Sequence, residues 1–233
     1  MTGTIEILYE DEFILGVNKP NNVLVHHSHY ARNITDDSLL QLLKSQQNGL
    51  SYYPINRLDR KTSGVVLLSK QKSYVSQFQE LFDLKEVNKV YQALVRGHVL
   101  EPDTIDSPVK NDRGNYKGAI SRISPLQTFE IDIPVQPYPT ARYTLLEMQP
   151  VTGRTHQLRI HANKISHPII GDHKYGNRHH NRMFEQRLGF ENLFLHCKET
   201  SFRHPVTQEN ISINAPFPAF WEECLQQLQA LSL

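Results

Sequence analysis

Cysteine, long apolar runs and glycine-rich phosphate loops are scarce or missing in this sequence of 233 residues. Its two cysteines, Cys197 and Cys224, form no CxxC pair, so we expect no disulfide framework, structural zinc site or iron–sulfur cluster. Free thiols instead favour a cytoplasmic protein. No run of about 18 apolar residues occurs, so no membrane-spanning helix is expected. The N-terminal residues also lack the basic and apolar regions of a signal peptide.

Several sequence motifs of common enzyme classes are also missing. Neither GxGxxG nor GxxxxGK[ST] occurs, so an enzyme that uses a nucleotide cofactor is not expected. The GxSxG sequence of a serine hydrolase is missing too. His156 and His161 are five residues apart and would point roughly 140° apart on a helix, which argues against a two-histidine zinc site. We therefore expect no metal and no cofactor.

The charge is balanced overall but uneven along the chain. The net charge is +1, yet residues 152–187 hold seven Lys or Arg against two acids, a local balance of +5. Such a band is typical of a site for a polyanion, although a solvated charged surface would have the same composition. With 39% hydrophobic residues, the chain can bury a sizeable core, and its length predicts a single domain over residues 1–233.

The pattern of apolar residues predicts an α+β fold. Strands are expected at Ile5–Tyr9, Phe13–Val17, Val23–Val25, Val65–Leu68, Val90–Val99 and Arg142–Met148. Helices are expected after a cap at Asp36 or Asp37 and over Ser73–Leu84, His156–Ile165 and Trp221–Leu231. Residues 101–140 are polar and broken by prolines, which indicates loops with a weak strand or two. Strands outnumber helices without alternating strictly, which favours α+β over a doubly wound sheet.

Three segments carry chemically active residues at high density. Asn56–Gly64 places Asp59 among three basic residues before a buried strand, where an ionised carboxylate could act as a nucleophile or form a surface ion pair. Lys89–Gly97 carries Tyr91, either a core residue or a ring for stacking on a base. Thr152–His161 is rich in hydrogen-bond donors and lacks acids, which suits a phosphate or a buried carboxylate, or a basic surface helix.

Together the three segments resemble the RluA-type family of RNA pseudouridine synthases, whose patterns are HRLDxxTSG, KxYxAxVxG and TGRxHQLRxH. His167–Asp172 with Tyr175-Gly176 also fits the family's HPIxGDxxYG, and the likeness extends from about Ile5 to Ile213. One residue departs from the pattern, because Asn56 stands where the family has histidine. The resemblance implies a catalytic domain built on a mixed, mostly antiparallel β-sheet with flanking helices, without the N-terminal S4 domain that many relatives carry.

The resemblance also implies residue roles in cutting the uridine N1–C1′ bond and rejoining the base through C5. Asp59, Tyr91 and Arg159 would be catalytic: Asp59 would act at C1′, Arg159 would pair with Asp59, and Tyr91 would stack on the uracil. Leu158 would form an apolar floor for the base, and Arg57 would fill the vacated stack. Substrate-binding residues would thus be Arg57, Arg60, Arg154 and Leu158.

The implied partner is RNA. The sequence HPIIGDHKYGN, the basic insertion Arg178–Arg182 and the run Pro139–Tyr143 resemble the branch of the family that modifies uridine-65 in the T stem of tRNA. A dual-specificity enzyme acting on ribosomal RNA and tRNA is the alternative within the family. A non-catalytic RNA-binding module and a glycoside or nucleoside hydrolase are alternatives outside it. A monomer is expected.

Overall fold

The computed structural model describes residues 4–27, 35–111 and 114–233. Contacts divide them into two compact units. The first comprises the described residues up to Lys89 together with Cys197–Pro216, and the second comprises Val90–His196 and Phe217–Leu233. Within the described ranges, no helix is long and apolar enough to cross a membrane. The expectation of a single domain stays a prediction.

The described residues form the following strands and helices. The strands are β1 (Glu6–Glu10), β2 (Ile14–Lys19), β3 (Tyr53–Pro54), β4 (Ser63–Ser69), β5 (Asn88–Arg96), β6 (Asp103–Asp106), β7 (Val109–Lys110), β8 (Tyr116–Lys117), β9 (Ile120–Ile131), β10 (Ala141–Pro150), β11 (Leu195–Arg203) and β12 (Asn210–Asn214). The α-helices are α1 (Leu39–Gln46), α2 (Val75–Asp83), α3 (Gln157–Lys164), α4 (Arg178–Met183) and α5 (Ala219–Ala230). A 3₁₀ turn, Lys72–Tyr74, precedes α2, and a π-helical turn, Phe184–Leu188, follows α4.

The first unit is built around the central strand β4. It pairs antiparallel with β2, which pairs in the same way with β1, and the short strand β3 pairs with β4. Strand β11 is the next neighbour of β4, and β12 pairs antiparallel with β11. All seven residues of β4 are buried, as its run of valines and leucines requires. Phe78 of α2 packs edge-on against Phe202 at 6.3 Å between ring centroids.

The second unit contains four antiparallel strands in the order β5-β10-β9-β6. Helix α5 contributes Trp221, which is fully buried and stacks on Phe217 with ring centroids 4.6 Å apart. Phe184, Phe194 and Tyr143 belong to the same apolar cluster. This core supports β5 and β10, and Tyr91 on β5 lies opposite Met148 on β10.

The α+β class with a mostly antiparallel sheet is confirmed, while three local predictions are wrong. Val23–Val25 forms no strand, because the chain turns after Pro20. The cap of α1 is Ser38, which forms a capping box with Gln41, rather than Asp36 or Asp37. Residues 101–140 include the twelve-residue strand β9, which tolerates Pro125 because the register with β10 shifts at that point.

Candidate active site

The loop that carries Asp59 begins with a hydrogen bond from Asn56. The Asn56 Oδ1 atom accepts a hydrogen bond from the backbone N–H of Leu67 at 2.8 Å. The preceding residue, Ile55, donates its backbone N–H to the carbonyl of the same Leu67 at 3.0 Å. The asparagine side chain therefore continues the pairing of β3 with β4 by one residue. This is a structural task that needs an acceptor and not a proton charge. Asp59 follows as a half-buried residue, and its carbonyl closes a turn by accepting the Thr62 N–H at 3.1 Å.

A buried lysine fixes the same loop from the other side. Lys19 has no exposed surface, and its Nζ donates to the carbonyls of Pro20 at 2.7 Å, Val23 at 2.8 Å and Arg60 at 3.0 Å. Three acceptors match the three N–H donors of an ammonium. Burial lowers the pKa of Lys19 to about 7, and the positive charge of Arg60 acts in the same direction, whereas the Asp59 carboxylate acts against it.

The three basic residues of this loop have different surroundings. Arg60 donates from Nε to the Asn22 carbonyl at 3.1 Å, and its Nη2 lies 3.3 Å from Asp36 Oδ2. The Lys61 carbonyl accepts a hydrogen bond from Asn21. Arg57 is exposed. Arg60, predicted to bind RNA, thus also joins two loops of the protein, and the RNA contacts of Arg57 and Arg60 stay predictions.

The glycine that ends the first motif is required by a close backbone approach. Gly64 has φ +109°, a conformation that other residues rarely adopt, and a Cβ atom there would collide with the carbonyl of Cys197. Thr62 and Ser63 beside it are buried. The TSG sequence therefore lets β4 lie against the neighbouring strand directly after the Asp59 turn.

Three side chains of the third motif, those of Thr152, Gln157 and His161, take part in a polar network. Gln157 accepts hydrogen bonds from the Thr152 hydroxyl at 2.7 Å and the Arg154 N–H at 3.1 Å, and its Nε2 donates to the Ile120 carbonyl at 2.9 Å. His161 Nε2 lies 2.8 Å from the Ser107 carbonyl, and burial lowers the pKa of His161, so the ring is a neutral donor there. These contacts hold α3 against β9.

Arg159 of α3 makes a bidentate ion pair with Asp172. Its Nε lies 2.7 Å from Asp172 Oδ2 and its Nη2 lies 2.9 Å from Oδ1. The guanidinium also lies 5.2 Å from the centroid of the Tyr175 ring. Only 1% of the Asp172 side chain is exposed. Burial raises the pKa of Asp172, but the Arg159 contacts and the N–H groups of Tyr175 and Lys174 outweigh burial, so the net shift is downward.

The remaining predicted residues of the second unit lie near α3 or on β5. Tyr91 is 9% exposed and Leu158 is 6% exposed. Arg154 is exposed and donates from Nε to the Gly118 carbonyl at 3.3 Å. The predicted pairing of Arg159 with Asp59, and the roles of Tyr91 and Leu158 against a base, stay predictions.

The basic insertion forms helix α4. Asn177 caps it by accepting the N–H groups of His179 and His180. Arg178, His179 and Arg182 are exposed, whereas His180 is buried and its Nδ1 lies 2.9 Å from the Tyr143 hydroxyl. Because burial lowers the pKa of His180 to about 4, this ring is a neutral core residue. Among the described residues, no three potential metal ligands form a group that could hold an ion.

Lys19 and Asp172 are charged residues of the candidate site to which sequence reasoning assigned no role. Asp172 lies in the segment that matches HPIxGDxxYG, and Lys19 lies within the range Ile5 to Ile213 over which the likeness extends. Asp172 is also one of only two acids within the basic band at 152–187, which is the signal that could have identified it as a partner for an arginine. Lys19 gives no comparable signal, because its three partners are backbone carbonyls, whose positions depend on the folded path of the chain and not on side-chain identity.

Comparison with known proteins places these features in a family. Residues 14–164 match the model for RNA pseudouridylate synthases. The chain is 36% identical to tRNA pseudouridine synthase C of Vibrio cholerae, over 96% of this chain and 95% of that protein. It is 38% identical to the protein of the same name from Haemophilus influenzae, over 96% and 97%. The chain belongs to the RNA pseudouridylate synthase family, and it is an isomerase.

Solved structures show the same fold. The human RNA pseudouridylate synthase domain containing 1 superposes with a TM-score of 0.73 at 24% identity, covering 97% of this chain and 94% of that chain. The human RNA pseudouridylate synthase domain containing 4 superposes with a TM-score of 0.73 at 24% identity, covering 96% of this chain and 93% of that chain.

Proposed function

We propose that this protein converts uridine to pseudouridine in tRNA, at uridine-65 of the T stem. The observation that carries the proposal is the near-complete alignment with proteins named tRNA pseudouridine synthase C, with Asp59, Tyr91 and Arg159 all present at the family positions. The proposal includes a monomer that works in the cytoplasm and needs no metal or cofactor.

The reaction exchanges one glycosidic bond for another within the same nucleotide. The C1′–N1 bond breaks, the base turns, C1′ bonds to C5, the C5 proton leaves and N1 gains a proton. Asp59 attacks C1′ or stabilises charge there while a glycal forms. Tyr91 stacks on the uracil with its hydroxyl near the C5 proton, and Arg159 pairs with Asp59 and fixes its orientation.

The target base must leave its helix to reach these groups. Leu158 forms the apolar floor for the base, and Arg57 fills the vacated stack. The exposed position of Arg57 is compatible with this task. The replacement of the family histidine by Asn56 is compatible with an active enzyme, because the Asn56 side chain forms a hydrogen bond that shapes the loop.

The exposed basic residues of α4, with Arg60 and Arg154, contact phosphates of the acceptor–T arm. Phosphate contacts release counterions, so raising salt from about 50 to 200 mM should weaken tRNA binding tenfold or more if several phosphates are held. An affinity that does not change with salt would argue against these phosphate contacts. Binding measured for wild type and the Arg178→Gln/Arg182→Gln variant should show a smaller salt slope for the variant.

The test of function uses tRNA transcribed with tritium at uridine C5. Wild-type protein, without added metal or nucleotide, should release tritium to water, and mapping should place pseudouridine at position 65. Asp59→Asn should abolish release while tRNA binding persists. Asp83→Asn, an exposed acid in the same unit, is the matched control and should react like wild type.

Other outcomes separate the alternatives. Release from ribosomal RNA as well as tRNA would identify a dual-specificity enzyme, and release at another tRNA position would overturn uridine-65. Free uracil in solution would identify a hydrolase. Full activity of Asp59→Asn would remove Asp59 from its role.

A further inference from the structure

We propose that Asp172 is the positioning residue for Arg159, and that the turn Gly171–Gly176 fixes the direction of that guanidinium relative to the basic helix α4. The proposal rests on the proposed function, because it supposes that Arg159 serves the isomerisation. It assigns the buried carboxylate a part in turnover that is separate from folding.

The contacts at Arg159 determine both the plane and the direction of its guanidinium. Two parallel N–H···O bonds to Asp172 fix the plane, and the Tyr175 ring lies against the guanidinium with its centroid 5.2 Å away. A long arginine side chain otherwise has considerable rotamer freedom. Asp172 uses two of the five N–H donors, so the other three are held in a defined direction.

The carboxylate itself is held by its own turn. Asp172 Oδ1 accepts the N–H groups of Lys174 at 2.9 Å and Tyr175 at 3.0 Å, and its carbonyl accepts the Gly176 N–H at 2.9 Å. Gly171 has φ +76°, and a Cβ atom there would collide with the Asn192 carbonyl. These contacts hold the turn in the conformation in which Asp172 faces Arg159.

Asn181 joins this turn to α4. Its Oδ1 accepts the Gly171 N–H at 2.9 Å, and its Nδ2 donates to the Asp172 carbonyl at 3.0 Å. Asn181 lies in the same helix as the exposed Arg178, His179 and Arg182. A phosphate bound by these side chains would thus be connected to Arg159 in two steps. The first is the pair of hydrogen bonds from the Asn181 side chain to the backbone of Gly171 and Asp172, and the second is the Asp172–Arg159 ion pair.

The turn alone does not explain why residue 172 carries a charge. An asparagine could accept the Lys174 and Tyr175 N–H groups equally well, since capping an N–H needs only one side-chain oxygen. The second oxygen and the negative charge serve Arg159. Because burying a carboxylate is costly, its presence points to a requirement at Arg159.

The first experiment measures kcat and KM of Asp172→Asn with tritiated tRNA. We expect kcat to fall about a hundredfold, because a small misplacement of a catalytic group has an effect of that size, while KM changes less than about threefold. Thr144→Val is the control for a buried polar contact in the same unit, because the Thr144 hydroxyl donates to the Gly97 carbonyl and accepts the Val99 N–H, and it should lose stability while keeping kcat. A kcat for Asp172→Asn within threefold of wild type would overturn the proposal.

The second experiment is a double-mutant cycle with Arg159→Met. If Asp172 acts through Arg159, adding Asp172→Asn to Arg159→Met should not slow turnover further. The double variant should also be more stable than Arg159→Met, because no buried carboxylate is left without its partner. An equal fall in kcat in both backgrounds would show that Asp172 acts independently and would overturn the proposal.

Asn181→Ala tests the connection to α4. We expect a fall in kcat of roughly three- to tenfold with little change in KM, since two hydrogen bonds are lost but the ion pair remains. An unchanged kcat would disconnect α4 from Arg159. If wild type released no tritium from any RNA, the proposed function would fail, whereas the stability arm of the cycle would still report on the ion pair.

Discussion

Each of the two units holds a loop with a buried charged residue, but the two charges are stabilised differently. In the first unit, the ammonium of Lys19 donates to three backbone carbonyls around the Asp59 loop. In the second unit, the carboxylate of Asp172 faces the guanidinium of Arg159 and two backbone N–H groups. A cation thus supports the loop of the proposed nucleophile, and an anion supports the proposed partner arginine.

This difference determines how each charge responds to its surroundings. Asp172 has a full opposite charge at 2.7 Å, so its pKa falls despite burial. The direct contacts of Lys19 are neutral carbonyl dipoles, and burial dominates, so its pKa falls to about 7. The Arg159–Asp172 ion pair should therefore persist across the neutral pH range. Lys19, in contrast, should gain or lose its proton within that pH range. The following predictions test that contrast.

Arg159→Ala should have the largest effect on stability. It leaves Asp172 buried without its partner, a loss of roughly 3–5 kcal/mol. Without Arg159, burial should raise the pKa of Asp172 above its unfolded value, so the lost stability should partly return as pH falls toward 5. Urea unfolding of wild type and variant at several pH values measures this. A stable variant with no pH response would contradict the importance of the ion pair.

Lys19→Met should cause the next largest loss. The carbonyls of Pro20, Val23 and Arg60 lose a shared donor, so we expect a loss of at least about 2 kcal/mol in the free energy of unfolding. Turnover should also fall, because the Asp59 loop loses an anchor. Lys61→Met is the matched control in the same loop and should change stability little. Equal stability of the two variants would show that the Lys19 contacts contribute nothing.

Asn56→Leu should cost less, about 1–2 kcal/mol, because one backbone N–H at Leu67 loses its acceptor. Asn56→His should recover most of that loss, since the imidazole Nδ1 lies at the same bond distance from Cβ as the amide Oδ1. Unfolding and tritium release of both variants test this. If the histidine variant turned over much faster than wild type, position 56 would have a chemical role beyond loop shape.

The most gradual effect should be a pH dependence that comes from Lys19, because it is spread over several pH units. Its pKa is 10.5 for a free lysine and about 7 in the fold, so the unfolded chain binds more protons between these values. The contribution of Lys19 to stability should therefore rise with pH from about 7 toward 10. Turnover should move the other way, because a neutral amine cannot donate to all three carbonyls. A wild-type and Lys19→Met difference that is flat across this range would refute the titration.

Several elements could be predicted because local pattern and tertiary environment agree. Strand β4 was predicted from Val65–Leu68, since a short run of β-branched and apolar residues suits a strand that is buried throughout. Strand β9 was missed because Pro125 and polar residues break its pattern, and only the register shift against β10 accommodates them. Helix α1 was predicted, but its capping residue depended on the Gln41 side chain.

The site divides in the same way. Asp59, Tyr91 and Arg159 were identified from matches to family patterns, and their roles stay predictions. The contacts that hold them depend on residues distant in sequence: Asp172 is 13 residues from Arg159, and Lys19 contacts Arg60 41 residues away. No local pattern encodes such pairs, because they arise when the folded chain brings a buried donor and acceptor together.

The hydrogen bond of Asn56 affects how members of this family should be recognised. A signature that demands imidazole at this position would reject the present chain, although its loop is closed by a hydrogen bond to the Asn56 side chain. A better rule would specify a hydrogen-bond acceptor two bonds beyond Cβ that faces the backbone N–H of the residue three positions after the TSG glycine. Both asparagine and histidine satisfy that rule. Searches that specify geometry in this way should recover family members that residue identity alone excludes.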